Sequence, residues 1–190
     1  MFENAVKKIV DKQIESGMLP EADRKLYLYG YQMLIEFCIN ILTSIGIAVI
    51  FDAYLTVFVF TVAYLMIRGY AGGYHAKTSL GCFCMSAGLL ILAVIMVEHT
   101  SRLEMKNILF LLECVMVPCV ILNTPIPSEN KPITENERQH FNKKVKQIYL
   151  FELLLELLLL FCGLEVCALS VLTVHIALFI MVLFDIFCKP

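Results

Sequence analysis

Residues 166–187 read VCALSVLTVHIALFIMVLFDIF, an apolar run long enough to cross a bilayer core, which takes about 20 residues of helix. A second run of similar length, YQMLIEFCINILTSIGIAVIF, occupies 31–51, and four shorter ones lie between them at 53–67, 83–97, 108–122 and 147–163. Composition follows the same pattern. The 190 residues are 59% hydrophobic and 17% charged, with mean hydropathy +0.79, whereas soluble domains are about half apolar and a quarter charged. The expectation is an all-α, polytopic integral membrane helical bundle with about six hydrophobic segments, forming a single domain over 1–190. The middle runs are short for a span unless flanking polar residues complete them. Six spans satisfy the pattern, and so do four spans with two re-entrant pieces, because irregular backbone is tolerated at depth where protein or trapped water pairs it.

Ahead of the bundle (31–187), residues 1–30 interleave Lys7, Lys8, Lys12, Arg24 and Lys25 with Phe2, Val6, Ile9, Val10 and Ile14. The helical spacing of that apolar set predicts an amphipathic N-terminal helix, lying in the membrane interface or solvated in the cytoplasm. No short apolar stretch precedes a small-residue cleavage site, so no signal peptide is expected. With the N-terminus inside, six spans leave only Arg102 and Lys106 of the fifteen lysines and arginines outside. This bias predicts that both termini and the 68–82 loop are cytoplasmic. A net charge of −2 argues against a nucleic-acid partner. The eight cysteines fall mostly inside apolar runs, as reduced packing residues do and a disulfide scaffold does not.

Acids interrupt the apolar runs, among them Glu36, Glu113, Glu152 and Glu156. Each costs about 2.5–3.5 kcal/mol at a bilayer centre on insertion scales. Glu152 and Glu156 share one helix face. These acids either line a polar substrate cavity or make structural polar contacts near the headgroups.

One stretch outside the apolar runs carries chemistry: Arg68-Gly69-Tyr70-Ala71-Gly72-Gly73-Tyr74-His75-Ala76-Lys77-Thr78-Ser79-Leu80-Gly81-Cys82-Phe83-Cys84. Glycine permits tight turns and close approach of another chain. Cysteine attacks as thiolate and needs a base or a cation beside the sulfur, and histidine serves as either near neutrality. On one continuous helix His75 and Cys82 would be separated by about 10.5 Å along the axis, too far for a hydrogen bond. The chain must bend between them, and Thr78-Ser79-Leu80-Gly81 has turn composition. Ser79 is a plausible N-cap that places Cys82 in the first turn of the next helix, where the positive end of the helix dipole favours a thiolate. Cys84 falls about 200° round the helix, on the opposite face. Spacing alone leaves catalysis, a structural loop and a metal site at His75, Cys82 and Cys84 all open, although no fourth ligand lies nearby and Cys-x-Cys is not a usual zinc spacing.

Read as R-x-Y-A-G-G-Y-H-A-K-T-x-x-x-C, residues 68–82 resemble the signature of the accessory gene regulator B (AgrB) family, bacterial membrane cysteine endopeptidases of Gram-positive quorum sensing. Chain length, the basic N-terminal segment and the later Thr124-Pro125-Ile126-Pro127 and Lys131-Pro132-Ile133 are similar to the family too. The resemblance implies cleavage of the C-terminal tail from a small, AgrD-like autoinducer peptide precursor. A thioester on the enzyme cysteine then yields a cyclic thiolactone, or a lactone. It implies Cys82 as nucleophile and His75 as general base, and it places Arg68 and Gly73 on positions linked to activity. A homodimer in the bacterial cell membrane is also implied, with lipid as its surroundings.

Backbone N–H groups in 79–82, or Arg68, are candidates for stabilising the oxyanion. Glu36, Glu113 and Asn123 are candidates for orienting His75. Lys77, Lys143 and Lys144, with Lys146, are candidates for holding an acidic precursor tail. No cofactor or metal is expected, since transfer from enzyme thiol to peptide thiol changes acyl-bond energy little. A small transporter or peptide exporter, its path lined by the intramembrane acids, is the main alternative.

Overall fold

A computed structural model describes residues 3–72, 79–102, 106–126 and 135–188. They form seven helices: α1 (Glu3–Glu15), α2 (Arg24–Ile50), α3 (Tyr54–Ala71), α4 (Ser79–Arg102), α5 (Lys106–Asn123), α6 (Glu135–Phe161) and α7 (Glu165–Cys188). The expected all-α membrane bundle is what the chain forms. Four helical segments among the described residues are long and apolar enough to cross a membrane: Glu21–Ile50, Tyr54–Ala71, Leu80–Thr100 and Glu165–Phe187. Flanking residues do complete two of the short middle runs, which lengthen into α3 and α4. Within α5 lies the apolar run 108–122, and α6 opens with a charged half, Glu135 to Lys146.

The core is built on α7, which packs against α3, α4, α5 and α6. A helix that is apolar all round belongs in an interior, and Cys167 through His175 are buried without interruption. The hydroxyls that come with them are satisfied within the helix. Ser170 Oγ donates to the Val166 carbonyl (2.6 Å) and Thr173 Oγ1 to the Ser170 carbonyl (2.7 Å). By contrast, only 11% of the apolar window of α2 is buried, against 67% for α7. Leu34, Phe37, Leu42 and Ile45 on α2, Leu55, Phe58 and Leu65 on α3, and Leu154, Leu158 and Phe161 on α6 all face outward. Apolar surface this continuous marks a membrane-facing exterior.

The amphipathic N-terminal segment ends earlier than residue 30. It closes at Glu15, the chain turns through Gly17 at φ +73°, and residues 24–30 already belong to α2. Val6 and Val10 are wholly buried as α1 packs on α2. The guanidinium of Arg24 donates to the Asp11 carboxylate, and Gln13 Nε2 donates to the Tyr31 hydroxyl at 2.9 Å.

At the C-terminal end of α3 a small anchor holds three helices together. Gly72 caps α3 at φ 69°, ψ −151°, a region essentially reserved for glycine. The Ile126 N–H donates to the Ala71 carbonyl at 2.9 Å, and Gly72 and Ile126 form a parallel bridge. Asn142 of α6 completes the anchor, its Nδ2 donating to the carbonyls of Thr124 (2.6 Å) and Ile121 (3.4 Å). Beside it, the rings of Tyr70 and Phe141 meet edge to face at 6.1 Å. The glycine-rich segment leaves α3 from this anchor.

A Cβ on Gly72 would lie 2.3 Å from the Ile126 carbonyl oxygen. Gly72→Ala is therefore expected to cost about 1–3 kcal/mol for the backbone conformation alone, with a further loss from the clash. Thermal unfolding in detergent micelles measures it. Gly69→Ala, where a Cβ meets nothing within 4 Å, is expected to be neutral or slightly stabilising.

Candidate functional site

Three helices converge on Cys82. It lies in the first turn of α4, which begins at Ser79, and it is half-buried while Cys84 is exposed. The two thiols thus take opposite faces, as their spacing requires. Arg68 near the end of α3 and Glu36 in α2 are both within electrostatic reach of the Cys82 sulfur. Tyr64, one turn before Arg68, makes a hydrogen bond with the guanidinium. On α4 itself, Ser86 Oγ donates to the Cys82 carbonyl at 3.0 Å. The thiol therefore has a cation, a carboxylate and a helix N-terminus around it, and only burial by neighbouring helices brings these together.

The bend expected between His75 and Cys82 falls partly outside the described residues, which resume at Ser79. Ser79, Leu80 and Gly81 are helical, not a turn. Among the described residues α3 ends at Ala71 and α4 runs from Ser79. Gly73, His75 and Lys77 lie outside the described residues.

Of the basic residues considered for a substrate tail, Lys143 lines an open groove along α6 with Arg138, Asn142 and Lys146. These positions recur at helical spacing and so form one stripe. Lys144 is half-buried and does not line that groove. The groove shares Asn142 with the anchor from which the 68–82 stretch departs.

The three candidates for orienting His75 separate cleanly. Glu36 is within electrostatic reach of Cys82. Asn123 Nδ2 donates to the Cys119 carbonyl of its own helix at 2.8 Å. Glu113 is engaged elsewhere, with its Oε1 2.6 Å from Nδ1 of His175.

His175 is the residue that the sequence reading missed. Its Nε2 is 3.3 Å from Glu152 Oε2 and its Nδ1 3.6 Å from Glu156 Oε2, while Tyr149 stacks on the imidazole at 4.2 Å. All five residues are buried, none more than 2% exposed. The intramembrane acids of α5 and α6 thus line no open path but close around one histidine. A signal was present in the sequence: an ionisable residue inside a membrane helix is a functional candidate by default. Its partners, however, are 62 and 23 residues away. Among the described residues, the ligand atoms of Glu113, Glu156 and His175 lie within 4.8 Å of one another.

The arrangement defines a helical membrane protein with a half-buried thiol at a helix N-terminus and a separate ionisable cluster in its core. Over residues 3–188 the chain matches Accessory gene regulator B, and it belongs to that family. It is similar to Accessory gene regulator protein B of Staphylococcus intermedius, at 23% identity over 82% of this chain and 80% of that relative. A second similar protein is Accessory gene regulator protein B of Staphylococcus carnosus (strain TM300), at 26% identity over 56% of this chain and 60% of the relative. No solved structure matches the chain.

Removing one partner from a buried charged network leaves the others uncompensated, at a cost of about 3–5 kcal/mol. His175→Ala is expected to lower stability by that order, read as a reduced thermal midpoint of the protein in lipid nanodiscs. An unchanged midpoint would show that the carboxyls do not depend on the imidazole.

Proposed function

We propose that this protein is a membrane cysteine endopeptidase that trims and cyclises a small autoinducer peptide precursor in quorum sensing. The observation that carries the reading is the convergence of Arg68 and Glu36 on a half-buried Cys82 in the first turn of α4. Family membership supports it. In this reading His75 takes the Cys82 proton, and the sulfur attacks the carbonyl carbon of the scissile peptide bond. The C–N bond breaks, the tail amine leaves with the proton returned by His75, and the acyl fragment remains as a thioester on Cys82. A thiol or hydroxyl within the peptide then attacks that thioester, closing the ring and releasing the Cys82 thiol.

Each neighbour has a role in this scheme. The Arg68 guanidinium stabilises the thiolate or the oxyanion, held in place by Tyr64. Glu36 orients His75, a role open to it because Glu113 and Asn123 are engaged elsewhere. Ring closure competes with hydrolysis, so the thioester must be kept from bulk water, and half-burial of Cys82 between α2, α3 and α4 serves that end. The strong bias of basic residues toward 1–30, 68–77 and 123–146 supports a cytoplasmic site, with both termini on the same side.

Incubation of the protein in lipid with candidate precursor peptides, followed by mass spectrometry, tests the reading. Wild type is expected to release the tail and carry a peptide thioester. Cys82→Ala and His75→Ala abolish both, Cys84→Ala leaves them intact, and Arg68→Gln slows single-turnover acylation by about 10²–10³. Tail release by Cys82→Ala would mean that the nucleophile is another residue or that the mechanism is different.

The basic stripe of Arg138, Lys143 and Lys146 is the proposed seat of an acidic precursor tail, because its groove adjoins the anchor at Asn142. Charge reversal at Lys143 is expected to weaken precursor binding at low ionic strength, with the difference shrinking as salt is raised. Equal affinities at low salt would remove the groove from the proposal.

A further inference from the structure

The cluster at His175 is independent of the thiol site, and three of its residues bring ligand atoms of metal-binding type within 4.8 Å of one another. Its Nε2 faces Glu152, whereas its Nδ1 faces Glu113 and Glu156 together, at 2.6 and 3.6 Å. With the ring proton on Nε2 donated to Glu152, the Nδ1 lone pair points at two carboxyl groups. Those two groups also contact one another. Three electron-rich groups then converge on a point that water does not reach.

Hydrogen bonding within the cluster is incomplete, even with the side chains of Glu113 and Glu156 bonded to one another. The Oε2 atoms of Glu113 and Glu156, the Oε1 of Glu152 and the Tyr149 hydroxyl are all buried without a hydrogen-bond partner. Buried polar atoms are ordinarily paired, and three carboxyl oxygens left unpaired around one imidazole point to a missing charge. Even a fully protonated imidazole offers one positive charge to three carboxyl groups. A divalent cation between Nδ1, Glu113 and Glu156 would neutralise two of them and satisfy all three ligand atoms.

We propose that Glu113, Glu156 and His175 bind one divalent transition-metal cation, with Glu152 behind the imidazole fixing its orientation. The ligand types suit such an ion, since imidazole and carboxylate together accept zinc, manganese, iron or cobalt. Metal-bound histidines ordinarily donate their other ring nitrogen to a carboxylate, which is the relation of His175 Nε2 to Glu152. Bonds of about 2.0–2.2 Å from nitrogen and oxygen to the metal separate the ligand atoms by roughly 3–3.5 Å. The atoms of Glu113, Glu156 and His175, all within 4.8 Å of one another, reach that spacing by small side-chain rotations. The ligands come from α5, α6 and α7, so a bound ion fastens α5 to the two beside it.

Cobalt(II) is the probe, because its absorption spectrum separates nitrogen and oxygen ligands from thiolates in a cysteine-rich chain. Metal-stripped full-length protein in lipid nanodiscs is dialysed against Co²⁺ and its content measured by inductively coupled plasma mass spectrometry. The expected result is one Co²⁺ per chain without a thiolate-to-cobalt charge-transfer band, together with a raised thermal midpoint. Glu156→Gln and His175→Gln should weaken binding at least tenfold. Glu152→Gln should weaken it by about 10–100-fold while keeping the stoichiometry. Binding should survive in the Cys82→Ala, Cys84→Ala double variant. Absence of bound Co²⁺ in wild type, a thiolate spectrum, or unchanged binding in Glu156→Gln would each overturn the proposal. In that event protons alone balance the cluster. The wild-type stoichiometry and spectrum decide the matter even if a variant fails to fold.

Discussion

His175 stands between a carboxyl group of α5 and two of α6, in the middle of a predominantly apolar helix. A charged or strongly polar group in such an interior survives only when its partners are built in. This requirement fixes how α5, α6 and α7 can sit. Sliding one helix by a turn, about 5.4 Å, would part the imidazole from its carboxyls and leave all of them buried and unpaired. Apolar packing alone tolerates several registers, because lipid and protein interiors are similarly apolar. The ionisable cluster is therefore what selects one of them.

From that core the structure passes to the thiol site through α3. Packed on both α6 and α7, α3 carries Tyr64 and Arg68 toward Cys82 and ends at Gly72. There the backbone meets Ile126 so closely that no side chain fits. The far side of the same anchor is Asn142, on the helix whose next turns supply Tyr149, Glu152 and Glu156. The glycine-rich stretch between α3 and α4 is thus tethered to the same helices that form the buried cluster. Core and site share α3 and α6 as supports, although they share no functional side chain.

The division of labour is physically sensible. Thiol chemistry requires a substrate to enter and a tail to leave, so Cys82 is half-buried, at a helix start, with its neighbours on three elements. The cluster at His175 requires the opposite, closure to water, and it lies on the most buried of the four candidate spans among the described residues. Each acid read as a possible gate in the sequence belongs to one of these two places. Glu36 is at the thiol, and Glu113, Glu152 and Glu156 are around His175.

Local features were legible in the sequence because local chemistry produces them. Hydropathy runs marked the helices, and the Cys82–Cys84 spacing implied opposite faces. Ser79 marked the start of α4, and the 68–82 signature pointed to the family. Within the stretch whose composition suggested a bend, Ser79, Leu80 and Gly81 are helical, because residues with turn propensity also open helices well. What the sequence by itself determined is an all-α membrane bundle with a thiol in the first turn of a helix. Only the tertiary structure decided which acid stands beside that thiol, which glycine must remain a glycine, and that a histidine at 175 collects three distant carboxyls. Those are pairings across 20 to 60 residues of chain, set by which helix faces pack together, and helical periodicity carries no record of a partner on another helix.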